Sequence, residues 1–178
     1  MKISNFFFFI LLVISVYTLS ACHRKTVPSG SNTSKNTNNP NNGDKGNSEI
    51  DIAGMADNIL FYVNKHRKAI GKPDLQMLNA ASVEAAKHSN NMAAKRVAFG
   101  HTGFEGRISA ISKSLGGTVS AAAENVADGK LTAQQVVDGW LHSPGHKKNI
   151  EGNYTLTGIG LAKDAGGVIF FTQIFVHK

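Results

Sequence analysis

Cysteine is nearly absent: Cys22 is the only one in 178 residues, so no internal disulfide can form and the fold must rest on packing alone. Catalytic signatures are missing as well. There is no Gly-x-Ser-x-Gly elbow and no His-Glu-x-x-His pair, and the lone cysteine lies near the N-terminus. The common serine-hydrolase, zinc-peptidase and cysteine-nucleophile templates are therefore unsupported. Acidic residues are scarce, 12 against 19 Lys and Arg, which leaves a formal net charge of +7. No basic block is interleaved with aromatics, which argues against nucleic acid as a partner. A mild basic excess suits anionic lipid or glycan better. There is no internal repeat, and a monomer is expected.

What is present begins with a targeting pattern. Lys2 precedes an apolar run from Phe6 to Val16, too short for a confident membrane span, and the run closes on Leu19-Ser20-Ala21-Cys22. This tetrapeptide resembles the bacterial lipobox. The resemblance implies a lipoprotein signal peptide over 1–21, cleavage before Cys22 and diacylglycerol on its sulfur. Each buried methylene contributes about 0.8 kcal/mol, so two or three acyl chains would hold the protein on a membrane. Residues 22–48 are rich in Asn, Ser, Thr, Gly and Lys, with almost nothing apolar to bury, and read as a disordered tether. Its typical reach is roughly 25–30 Å. The expected location is the bacterial cell envelope, outside the cytoplasm.

Residues 49–178 have the length of one domain. Ile59, Leu60, Val63 and Arg67 fall at helical spacing before a stop at Gly71-Lys72-Pro73. A second helix is expected over Asn79–Lys95, with Ala81, Ala85, His88 and Met92 on one stripe and Asn79 as N-cap. A third runs from Gly106 to Leu115. Thr132 and Gln135 form a capping box that opens a fourth, Ala133–His142. Thr155–Ala162 and Val168–Val176 flank Asp164-Ala-Gly-Gly167 and predict an antiparallel hairpin. Val119–Val126 could add a strand. Helices first and a hairpin last give an α+β class.

Three polar clusters interrupt this pattern. Phe99-Gly-His-Thr-Gly-Phe-Glu-Gly-Arg107 is the first and Ala123-Glu-Asn-Val-Ala127 the second. The third is Gly139-Trp-Leu-His-Ser-Pro-Gly-His-Lys-Lys-Asn-Ile150, with its Ser-Pro-Gly helix stop; Thr157-Gly-Ile-Gly-Leu-Ala162 follows. In that order they resemble a bacterial member of the CAP superfamily, the SCP-like group of cysteine-rich secretory, antigen 5 and pathogenesis-related proteins. The resemblance spans about Asp57 to Phe175. It implies an α-β-α sandwich with a central antiparallel sheet, flanked by about four helices, and a cleft of two histidines and acidic residues. His101 matches the first cleft histidine, Glu124 the glutamate and His146 the second histidine. Ser143 stands where eukaryotic relatives carry a second glutamate, so the four-residue cleft is incomplete.

Two imidazoles and one carboxylate admit three chemistries. They could hold a divalent metal such as zinc, since two histidines, a glutamate and water form a known zinc arrangement. They could act as a general base, even toward Ser143. They could also form a hydrogen-bonded network that fixes the cleft. Other residues read as structural: His88 as a hydrogen-bonded packing residue, Trp140 as core, and His23, His66 and His177 as solvated or peripheral. His142 reads as a residue of the cleft rim. Arg107 reads as the anchor of the loop bearing His101, with Glu105 as a local ion-pair partner, and Asn125 as a tie within its own loop. The leading expectation is a non-enzymatic, lipid-anchored binding module for a lipid, glycan, envelope or host ligand, with cleft residues His101, Glu124, Ser143 and His146. The alternative is a hydrolase acting on peptides or envelope polymers through His101, Glu124 and His146.

Overall fold

The structure, a computed structural model, describes residues 52–178. The expectations for the signal peptide, Cys22 and the tether lie outside the described residues.

Helix α1 (Met55–Ala69) buries Met55, Ile59, Val63 and Arg67, one residue per turn. It ends in a reverse turn in which the amides of Gly71 and Lys72 bond back to the carbonyls of Lys68 and Arg67. Gly71 takes φ +73°, the left-handed conformation such a helix end requires. After the two-residue strand β1 (Gln76–Met77) comes α2 (Asn79–Ala93). Its buried residues are Ala81, Ala85, His88, Ser89 and Met92, the expected stripe with one addition. Asn79 is not the cap, however. Leu78 holds the extended capping position and makes no side-chain bond, because Asn79 already lies within the helix.

Helix α3 (Phe104–Ser114) buries Arg107 and Ile111. Strand β2 (Ala121–Gly129) leads to α4 (Ala133–His142), which opens on the reciprocal Thr132–Gln135 capping box. A fifth helix, α5 (Pro144–Ile150), was not expected. Pro144 stops α4, but its fixed φ and missing N–H also suit the first position of a new helix. Strands β3 (Leu156–Lys163) and β4 (Ile169–His177) form the hairpin, turned at Asp164, whose Oδ1 accepts from Gly166 and Val168.

The sheet order is β1-β3-β4-β2. The α+β sandwich is as expected, but the sheet is mixed, because β1 pairs parallel to β3 while the other pairs are antiparallel. Alternation along β4 assigns the two faces. Ile169, Phe171 and Phe175 join the core with α1, α4 and Trp140, while Ile174 and Val176 pack with α2 and α3. Each large apolar side chain taken from water contributes roughly 1.5–3 kcal/mol.

The α2 side has almost no room. A Cβ on Gly158 would collide with the backbone of Ala81 and Ser82, and one on Gly160 with that of Ala85 and Ala86. Two glycines facing two alanines thus bring helix and strand backbones together. Ser89 adds a polar tie, its hydroxyl bonding the Gly160 carbonyl at 3.0 Å and the Thr172 hydroxyl at 2.8 Å. Since the obstacle is backbone rather than a movable side chain, Gly160→Ala should destabilise the domain by about 3 kcal/mol or more. Urea unfolding checks this, and an unchanged midpoint would contradict the close approach.

Candidate functional site: a histidine cleft built on Glu124

Strand β2 turns Glu124 toward α3, on the same face as its cross-strand neighbour Ile174. Its side chain is almost entirely buried, and both carboxylate oxygens are engaged. Arg107 Nε donates to Oε2 at 2.8 Å and Arg107 Nη2 to Oε1 at 2.7 Å, a two-pronged guanidinium–carboxylate pair. His101 Nδ1 donates to Oε1 at 2.9 Å. The same guanidinium holds the loop before α3, with Nη1 on the Thr102 carbonyl at 2.9 Å and Nη2 on that of His101 at 3.4 Å. Arg107 therefore anchors the His101 loop as expected, but its ion-pair partner is Glu124 and not Glu105.

Behind Arg107 stands His88. A carbonyl can only accept, so His88 Nε2 must donate to Gly100 at 2.7 Å. In the neutral ring Nδ1 then carries a lone pair, which faces Arg107 Nη1 at 3.2 Å. Burial pushes the His88 pKa below its ordinary 6.5; the bond to Gly100 raises it and the Arg107 charge lowers it further. A neutral His88 is what the network requires.

His146 comes from α5, and the positioning of that helix is explicit. Asn125 Nδ2 donates to the His146 carbonyl at 3.2 Å, and Asn149 Nδ2 donates to Asn125 Oδ1 at 2.9 Å and to the Glu124 carbonyl at 3.2 Å. Asn125 thus ties a distant helix to the sheet instead of its own loop. Trp140 is core, with Nε1 on the Val126 carbonyl at 3.3 Å. The His146 ring is half-buried, and its pKa is lowered by desolvation first and by the nearby His101 second. His101 is the open member, its side chain 52% exposed, and its Nε2 makes no hydrogen bond among the described residues.

The structure brings His101 and Glu124 into contact and sets His146 close by, but the carboxylate is not free. Among the described residues no three His, Cys, Asp or Glu side chains are grouped to hold a metal ion. The described geometry does not present a two-histidine, one-glutamate zinc centre: the Glu124 side chain is 2% exposed, and its oxygens already accept from Arg107 and His101. Ser143 is the joint between α4 and α5; its carbonyl accepts the first bond of α5 from Lys147, and its side chain caps nothing. Among the described residues no histidine bonds the Ser143 side chain. His142 is exposed and bonds back to the Asp138 carbonyl at 2.7 Å. His66 is not peripheral: it meets Glu151 at 2.8 Å. The pairing of Arg107 with Glu124 and the role of Asn149 were missed. For Arg107 a signal existed, an arginine four residues from Ile111 on the buried stripe of its helix.

The depressed histidines set the pH response. Below pH about 6.5 the unfolded chain's imidazoles take protons that folded His88 and His146 resist. The unfolded state then binds more protons, so stability is fully present above that pH and falls as pH drops through it. Urea unfolding across roughly pH 5 to 8 should show this loss. The slope should be smaller in His88→Gln; an identical slope would contradict the assignment.

Comparison with known proteins agrees with this architecture. The model of the CAP family, the cysteine-rich secretory protein family, matches residues 60–175. The uncharacterized protein YkwD of Bacillus subtilis is 31% identical over 121 residues, 67% of this chain and 46% of that protein. The chain therefore spans less than half of that relative's length. Among solved structures, an outer surface protein of Borrelia burgdorferi superposes with TM-score 0.60 at 20% identity, over 74% of this chain and 98% of that one. An extracellular protein containing an SCP domain from Bacillus anthracis gives 0.59 at 26% identity, over 71% of this chain and 41% of that one. A cysteine-rich secretory protein of Staphylococcus aureus gives 0.58 at 18%, over 71% and 39%. With the family's model matched over most of the described residues and its fold reproduced, the chain belongs to the CAP family, as an extracellular-type bacterial CAP domain.

Proposed function

We propose that this chain is a lipid-anchored, extracytoplasmic binding module that presents the cleft of His101 and His146 to a ligand of the envelope or the host. One observation carries the preference for binding over turnover: both oxygens of Glu124 are taken by Arg107 and His101. These three bonds fill most of the carboxylate's roughly four lone-pair sites on a side chain only 2% exposed, whereas a general base must reach the proton it removes. Here the only carboxylate of the cleft serves to fix the His101 loop. What remains open is a pair of imidazoles, His101 with its exposed Nε2 and His146 with a pKa below 6.5, hence neutral at pH 7. Such a rim can accept hydrogen bonds from hydroxyl or amide groups. The Borrelia relative, an outer surface protein, and the Bacillus anthracis relative, an extracellular protein, support the setting. The pattern before Cys22 supports the anchor.

The test is native mass spectrometry of the full chain isolated from its own envelope. A non-covalently bound ligand is expected, and His101→Ala/His146→Ala should lose at least about tenfold in affinity for it. Turnover of peptide or peptidoglycan fragments that survives purification and chelation would contradict the reading. For the anchor, Cys22→Ala should release the chain from the membrane fraction, and retention there would contradict it.

A further inference from the structure

Helix α5 has a second face. Pro144, Lys147, Lys148 and Glu151 lie at i, i+3, i+4 and i+7, one stripe of the helix, and His146 falls on the opposite side at 100° per residue. That stripe lines a groove of about 570 Å³, and Lys72 and Tyr154 lie on its other wall. The two walls are held together from beneath by a single buried side chain. Arg67 is 1% exposed, and its guanidinium donates to the Pro73 carbonyl at 2.9 Å, to Ile150 at 2.7 Å, to Gly152 at 3.0 Å and to Tyr154 at 3.1 Å. One guanidinium thus joins the loop carrying Lys72 to the end of α5, so the groove is formed before any ligand arrives.

Its charge is one-sided. Lys72, Lys147 and Lys148 line it with one carboxylate, Glu151, and that oxygen is drawn back to His66 Nε2 at 2.8 Å while Lys147 Nζ stays at 3.9 Å. Neither the Lys72 nor the Lys148 ammonium has a partner among the described residues. Arg67 below gives its hydrogen bonds to carbonyls alone, and its charge is partly balanced by Asp74, which does not line the groove. Three ammonium groups over a carbonyl-bound guanidinium repel a metal ion and favour a compact anion. The lysines act as point charges and can surround a phosphate from several sides. The volume exceeds what a bare phosphate fills, and Tyr154 and Pro144 give it apolar walls.

We propose that this groove binds the phosphate group of a phosphorylated small molecule or lipid headgroup, with Lys72, Lys147 and Lys148 supplying the charge. The site is separate from the histidine cleft and does not depend on its function. It is tested by calorimetric titration of the full chain with glycerol 3-phosphate and with dihexanoyl phosphatidylglycerol below its micelle concentration. Saturable binding is expected, about tenfold weaker in Lys72→Gln/Lys148→Gln and unchanged in Lys113→Gln/Lys130→Gln, which removes the same charge elsewhere. Binding of both probes assigns the site to phosphate groups in general; binding of the lipid alone assigns it to a headgroup. No saturation with either probe, or equal weakening in the two double variants, would overturn the proposal.

Discussion

The cleft depends on one buried ion pair, Arg107 with Glu124. A carboxylate enclosed by sheet and helix loses its hydration, and that cost is met only when hydrogen-bond donors reach both of its oxygens. Arg107 does this with two parallel N–H groups while its third nitrogen reaches the Thr102 carbonyl. The same interaction therefore satisfies the strand, fixes the loop and orients His101. It also leaves the Glu124 side chain only 2% exposed, with both oxygens hydrogen-bonded. A residue that looks like a catalytic acid by composition serves as the keystone of the cleft's structure.

Around that pair the sandwich is set by how closely its layers approach. Gly158 and Gly160 let α2 lie against β3 with only Ala81 and Ala85 between them, which leaves His88 and Ser89 at the sheet's surface, where they can bond to it and to Arg107. On the opposite face bulky residues do the filling, with Trp140, Phe171 and Phe175 packed against Ile59 and Val63. Arg67 plays for the α1–α5 corner the part that Arg107 plays for the cleft, though it bonds carbonyls and not a carboxylate. Both arginines occupy helix positions where an apolar residue would pack, and both convert that position into a tie between segments distant in sequence.

Much of the fold was legible because its signals are local. The capping box at Thr132 fixed the start of α4, the alanine stripe placed α2, and the Asp164-Ala-Gly-Gly167 turn gave the hairpin. The signal at Pro144 was legible but two-sided, since proline ends one helix and begins another with equal ease. β1 was illegible: two residues paired with Leu156 and Thr157 leave no periodicity to read. In the site, the order of short motifs pointed to His101, Glu124 and His146. What no spacing could reveal is who holds Glu124. Arg107 stands 17 residues away in sequence, and Asn125 meets α5 only once the sheet has formed.

The central claim is that the Glu124 carboxylate belongs to the architecture. A double-mutant cycle on unfolding free energy tests it most directly, using Arg107→Met, Glu124→Gln and the pair together. Each single change strands a buried partner and should cost about 3–5 kcal/mol, and the double should cost less than the sum by at least ~2 kcal/mol. Additive and small effects would mean that the carboxylate is free of Arg107, and the account of the cleft would fall with it.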